Sequence, residues 1–204
     1  MLIIKSKYKI AKRLGAGVFE QTQTQKFAFS EARTKAKPRG GRRGGSDYGR
    51  QLLEKQRVRF TYGLSERQLS GYVRQATQEP NPAVALYKLL EMRIDSVLYR
   101  SGFAPTRRAA RQAVSHGHIL INSRRTTTPS QAVRKGDGVS IREGSRKSSL
   151  FAGLSDRAAE DRRAVPHWME VDLASLTVQI SGEPAYVSAE TGLDFATVFE
   201  FYSR

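Results

Sequence analysis

The side chains with the most pronounced chemistry in this chain are arginines, and their spacing suits phosphate. Arg107 and Arg111 stand four apart, so a helix puts them on one face, with Arg108 beside them. Arg100 precedes that group, and Arg124 and Arg125 follow it after a short apolar run. A guanidinium is planar, always charged, and offers a fork of donors that fits paired oxygens. A second set lies nearer the start: Arg39, Arg42 and Arg43 among glycines, then Tyr48, Arg50, Arg57 and Arg59. Each of these residues is expected to supply cation or hydrogen-bond donors to phosphate or ribose, with an ordinary solvated helix face an equal reading of Arg57 and Arg59.

Other chemistry is poorly served. The 204 residues contain no Cys, which excludes a disulfide framework, a thiolate metal site and a cysteine nucleophile. There is no P-loop, no HExxH and no Ser/His/Asp order, and Gly15-Ala16-Gly17 has no strand before it. His116 and His118 flank a glycine at a helix end, where they cap carbonyls or touch RNA rather than bind metal. Asp95 lies on a helix among arginines and is read as orienting Arg93 or Arg100. Trp168 is read as a packing anchor. No cofactor and no metal are expected.

The charge distribution sharpens this. The chain has 35 Lys+Arg against 19 Asp+Glu, a net charge of +16. Residues 1–50 carry net +10, 51–100 net +3, 101–150 net +8 and 151–204 net −5. Arg outnumbers Lys, 24 to 11. An Arg-led surplus in two blocks points to nucleic acid. Nothing approaches the apolar length of a membrane-spanning helix. The first 19 residues, basic and without acid before Glu20, are read as a basic arm rather than a transit peptide.

Elements must position these groups. Residues 1–45 lack apolar periodicity and carry five basic groups between Lys35 and Arg43, so they are expected to order only on a partner. A helix is expected from Arg50 to Tyr62. Ser65-Glu66-Arg67-Gln68 has the form of a capping box, opening a helix over about 66–78. Asn81 and Pro82 open a helix whose apolar face, Leu86, Leu90, Ile94, Val97 and Leu98, runs to about Arg100. Thr106 caps the next helix, which ends at Gly117. His118–Asn122 is a strand with a turn at Asn122-Ser123, and Arg124–Thr128 is extended. Residues 129–133 are irregular, and Val139–Ile141 is a further strand. Residues 147–164 read as a helix, and 167–171 and 176–180 as strands. Residues 194–202 fit either a strand or a helix.

The run from Arg93 to Arg100 with Gly102, then Thr106 to Ile119 and Asn122, resembles the RNA-binding module named after the fourth protein of the small ribosomal subunit. Ser46–Arg59, Tyr62–Gln68, Val139–Glu143, Pro166–Asp172 and Phe201–Arg204 resemble the bacterial family of that ribosomal protein, from about Ser46 onward. The resemblance implies an α+β fold: a mostly helical domain with an inserted RNA-binding module, a helix pair plus a small antiparallel sheet, behind a basic extended N-terminal arm. The implied domains are an arm at 1–45 ordered on rRNA, a helical domain at 46–90 completed by about 188–204, and the inserted module at 91–187. For 194–202 it favours helix.

The implied function is structural, without enzymatic activity. Such a protein is a primary binder of small-subunit (16S) rRNA at a 5′-domain junction and nucleates assembly of the subunit body. It lines the channel by which mRNA enters, beside the third and fifth small-subunit proteins, and influences accuracy on the cytoplasmic ribosome. Many relatives carry four zinc-binding Cys in the arm. Tyr8 and Ala11 stand where the first pair would be and no Cys follows, so no structural zinc is expected and RNA alone is expected to order the arm. Two alternatives fit less well. An RNA-modifying enzyme needs a catalytic domain, for which about 50 residues after the module are too few. A polybasic membrane-binding protein needs a helix with a large apolar face, and a DNA-condensing protein would bind duplex DNA as well as rRNA.

Overall fold

The computed structural model describes residues 4, 6–35, 46–148, 150, 151, 153, 154 and 164–203. The chain divides into two compact units, Met1–Leu86 with Tyr186–Arg204, and Tyr87–Ala185. The fold class is α+β: helices with one antiparallel sheet.

In the first unit, α1 (Lys7–Leu14) and α2 (Gln25–Lys35) are joined by two 3-10 turns. Ala11, Leu14, Val18, Phe19 and Phe27 are buried together, with Leu53 and Phe60 packed against them. This corrects the expectation for the arm over its described part. The core is built from irregularly spaced apolar residues that cover a helix far along the chain, so no periodic stripe announces it. The site does not fit zinc either. Ala11 is fully buried among apolar side chains, and Tyr8 packs beside Phe27 with ring centroids 6.1 Å apart.

The helix α3 (Asp47–Thr61) starts at Ser46, whose hydroxyl accepts from Gly49 N. Ser65 and Gln68 form both bonds of the capping box that opens α4 (Glu66–Ala76). The short α9 (Ser188–Thr191) precedes α10 (Phe195–Tyr202), which packs on α3. The 194–202 run is thus helical, capped by Asp194 accepting from Thr197 N at 3.1 Å.

The long helix expected from Pro82 to about Arg100 is two helices. α5 (Pro82–Glu91) ends, Arg93 turns extended (φ −77°, ψ 142°), and α6 (Ile94–Arg100) begins. The irregular 129–133 segment causes the break. Arg93 bridges Ala132, Val133 N donates to Met92 O at 2.8 Å, and Ile94 N donates to Gln131 O at 2.9 Å. Backbone groups orphaned at the helix ends are thereby satisfied.

α7 (Arg107–Ser115) follows, with the Thr106 hydroxyl accepting from Ala109 N. The sheet order is β2-β1-β3-β5-β4, all antiparallel, with β1 Ile119–Ile121, β2 Arg124–Thr126, β3 Gly138–Ile141, β4 Met169–Asp172 and β5 Thr177–Ile180. Asn122 and Ser123 take positive φ (47° and 66°), the geometry of a tight hairpin turn. Ile119, Ile121, Val139, Ile141, Val178 and Ile180 are buried in one core with Ile94, Val97, Leu98, Ala110, Val114 and Trp168.

The helix expected over 147–164 is corrected over its described residues. The short α8 (Glu143–Arg146) precedes it, and its described residues up to Leu154 lie in turns and bends, with Phe151 and Leu154 buried. Residues 149, 152 and 155–163 of it lie outside the described residues. The strand expected at 167 starts at Met169. Trp168 sits in the preceding turn, where its carbonyl accepts from Ser181 N and Gly182 N.

Candidate nucleic-acid interface

The second unit carries its arginines on two buried acids. Glu91, at the end of α5, accepts from Arg100 Nε at 2.7 Å and Nη2 at 2.9 Å, and from Arg107 Nη2 at 3.0 Å. Asp95, in the first turn of α6, accepts from Arg93 Nε at 2.9 Å and Nη2 at 2.6 Å. It also accepts from Arg111 Nε at 3.1 Å and Nη2 at 2.9 Å. The acid side chains are 0% and 3% exposed, while Arg107, Arg111 and Arg100 keep 11%, 16% and 29%. Arg107 also lies over the Tyr99 ring, 4.2 Å from its centroid.

The i, i+4 spacing of Arg107 and Arg111 is what lets one face of α7 meet both acids. Of the two alternatives for Asp95, the structure selects Arg93 and adds Arg111. Arg100 is held by Glu91. The pairing with Arg111 spans 16 residues and a helix–helix turn, which local spacing does not reveal.

Arg108, Arg124 and Arg125 are exposed. Arg125 nonetheless has a seat. Its Nη2 donates to His116 O at 3.2 Å, and its guanidinium lies directly on Gly117. Gly117 is at φ +72°, and any Cβ there would collide with that guanidinium.

A cluster missed by counting arginines adjoins this seat. His116 and His118 rings lie 5.8 Å apart, and His118 Nδ1 lies 2.9 Å from Ser145 Oγ. Arg142 N donates to His118 O at 2.9 Å. Burial pushes the His118 pKa down, and the charges of His116, Arg125 and Arg142 push it further. His116, Arg125 and Arg142 thus lie near His118, whose pKa is lowered first by burial. The signal for Arg142 was present in the alternation of β3, which puts residue 142 outside when Ile141 is inside.

In the first unit, Tyr48 is exposed with its ring 5.7 Å from Phe201, and Arg50 pairs with Asp47 at 3.1 Å. Arg57 pairs with Glu54 at 2.6 Å. Arg59 pairs with Glu66 at 3.4 Å and donates Nε to Leu64 O. Arg39, Arg42 and Arg43 lie outside the described residues. Among the described residues there is no group of three or more His, Asp or Glu placed to hold a metal. No described helix is long and apolar enough to cross a membrane.

A helix pair packed on an antiparallel sheet, with arginines set on buried acids, defines a nucleic-acid-binding module. The family description "S4 domain" matches residues 92–139, and "Ribosomal protein S4/S9 N-terminal domain" matches residues 3–91. The chain is 41% identical over 197 residues to the small ribosomal subunit protein uS4 of Roseiflexus sp. (strain RS-1), covering 96% of each chain. It is 37% identical over 197 residues to the protein of the same name from Chloroflexus aurantiacus (strain ATCC 29366 / DSM 635 / J-10-fl), again covering 96% of each. The counterpart from Borrelia turicatae (strain 91E135) is 36% identical, covering 98% of this chain and 96% of that one. The chain belongs to the uS4 family of small ribosomal subunit proteins. As a member of that family it is a structural protein and not an enzyme.

Proposed function

We propose that this chain is a primary binder of small-subunit (16S) ribosomal RNA, seated on a multi-helix junction of the 5′ domain, where it nucleates assembly of the subunit body. The observation that carries the reading is the arginine face of the second unit. Arg108, Arg124 and Arg125 are exposed, and Arg100, Arg107 and Arg111 are held by Glu91 and Asp95. Structured RNA is recognised through shape, phosphates and ribose hydroxyls, and fixed guanidinium forks suit such a surface. Tyr48, Arg50, Arg57 and Arg59, with the Arg39, Arg42 and Arg43 stretch, extend the contact from the first unit. On the cytoplasmic ribosome the protein lines the channel by which mRNA enters, beside the third and fifth small-subunit proteins, and through the fifth it influences decoding accuracy.

Reconstitution tests this. Small subunits are assembled from purified rRNA and proteins with and without this chain, and sedimented on a sucrose gradient. The chain is expected to co-sediment with the subunit, and its omission to leave a slower particle. Full-sized particles formed without it would contradict the assembly role.

A further inference from the structure

We propose that His116 and His118, with Arg125 and Arg142, seat one backbone phosphate of the RNA and take up a proton from solvent as it binds, so that rRNA binding tightens as pH falls. The proposal rests on the reading of the second unit as an rRNA-binding face, and adds to it a site and a form of regulation.

Separate elements of the second unit bring these groups together. His116 caps the C-terminus of α7, and His118 stands just before β1. Their rings lie edge to face, with centroids 5.8 Å apart. Arg125 comes from β2, and the His116 carbonyl accepts from its Nη2 at 3.2 Å. Arg142 follows β3, and its backbone N–H donates to the His118 carbonyl at 2.9 Å. The left-handed backbone of Gly117 turns the chain between the two histidines. His116, Arg125 and Arg142 are exposed, and His118 is half-buried with its ring centroid 6.0 Å from that of Phe151.

The charges acting on the His118 ring are those of His116, Arg125 and Arg142. On α8, Ser145 meets the ring, Arg146 donates Nε to Ile141 O at 3.3 Å, and Glu143 is exposed. Burial and these cations keep the His118 ring neutral at neutral pH in the free protein. A phosphate brought among the same groups reverses the balance. Its charge offsets the two guanidinium groups and favours the imidazolium form. The Ser145 Oγ lies 2.9 Å from His118 Nδ1, and a hydroxyl donates to a neutral ring nitrogen or accepts from a charged one. Protonation therefore costs no hydrogen bond.

Binding raises the histidine pKa, so the complex holds more protons than the free protein. Affinity then rises as pH falls through the bound-state pKa, and levels off below the free-state pKa. A rise of one pKa unit gives up to about a tenfold gain in affinity.

The experiment is isothermal titration calorimetry of the full-length protein with a transcript of the small-subunit rRNA 5′ domain. Two buffers of different ionisation enthalpy count the protons, at about pH 6.5 and about pH 8, on either side of most histidine titration. Filter binding across a salt series accompanies it at both pH values. We expect uptake of about half a proton or more at the lower pH, almost none at the higher, and about three- to tenfold tighter binding at the lower. His116→Gln with His118→Gln keeps hydrogen-bonding side chains that cannot charge. This double variant should lose most of the uptake and the pH dependence of affinity, with circular dichroism confirming its fold. Protons taken up by the RNA itself are common to both proteins, so the difference reads the histidines. Should the double variant not fold, His116→Gln, at an exposed position, should still lower the uptake by about half. Equal uptake in wild type and a folded variant, or none by the wild type at the lower pH, overturns the proton-linked seat. A steep salt slope in the same series then leaves the RNA interface standing. A slope near zero at both pH values overturns the interface and the seat together.

Discussion

The two units differ in where an ion-pair cluster puts its acid. In the first, the Glu66 cluster has its acid outside and its cations inside. Glu66 keeps 47% of its side chain exposed, while Lys55 and Arg59 keep 8% and 20%. The Lys55 ammonium sits 4.3 Å from the Phe201 ring centroid, and the Tyr202 hydroxyl donates to Glu66 Oε1 at 2.8 Å. Burial alone would raise the Glu66 pKa. The hydrogen bonds from Lys55 and Tyr202, with the charges of Lys55 and Arg59, hold it below the ordinary range. Burial and the bond to Glu66 push the Tyr202 phenol up. These contacts clamp α10 to α3 and α4. In the second unit the acids Glu91 and Asp95 are buried at 0% and 3%, the arginines paired to them are largely buried as well, and Arg108, Arg124 and Arg125 are exposed. The Lys55 and Arg59 pairs hold helices together, whereas the proposed RNA contact uses the exposed Arg108, Arg124 and Arg125.

The largest expected effect separates these roles. Replacing Arg108, Arg124 and Arg125 together with Ala should reduce rRNA affinity about 100-fold or more and flatten the salt slope by about two to three. Surface changes of this kind move stability little, by about 0.5 kcal/mol or less each. A filter-binding series with a parallel melt checks it, and a large loss of melting temperature would break the contrast. Next, Gly117→Ala strains a left-handed backbone and evicts Arg125 from its seat. Affinity should fall about 10-fold, with about 1 kcal/mol lost in stability by urea unfolding. Intact affinity would show that the seat does not matter.

Lys55→Met should do the reverse. It breaks the clamp, costing about 1–2 kcal/mol because Glu66 is half exposed and solvent screens it, while rRNA affinity stays within about twofold. A matching loss of affinity would erase the difference between the units.

The smallest effect is on pH. The His118 pKa lies below its ordinary 6.5, so the stability it contributes is full above pH 6.5 and is lost as pH falls through its folded value. The hydrogen bond from the Thr197 hydroxyl lowers the Asp194 pKa in the first unit, against burial, so its contribution persists until below pH 3.8. Acidification from pH 7 to 5 should therefore weaken the second unit first, followed by amide exchange in α7 and α10, and His118→Gln should remove that early loss.

Local chemistry made much of this legible. The capping box at Ser65, the cap at Thr106, the Asn81-Pro82 opening and the shared face of Arg107 and Arg111 each follow from residues within a turn of one another. What escaped depends on distant partners. The apolar stripe from Leu86 to Leu98 reads straight through Arg93, because the bonds that break the helix come from 129–133. The core around Ala11 and Phe27 needs Leu53 and Phe60. Asp95 was recognised as an organiser of arginines, yet its partner Arg111 is placed by the crossing of α6 and α7.

The central claim is that fixed and exposed arginines of the second unit bind structured ribosomal RNA through its phosphates. Equilibrium binding to the 5′-domain transcript between 50 and 200 mM salt tests it most directly, with duplex DNA as competitor. With six to ten phosphates engaged, affinity should fall about 10³–10⁵-fold over that range, and DNA should compete poorly. A slope near zero, or duplex DNA competing at equal potency, would contradict it.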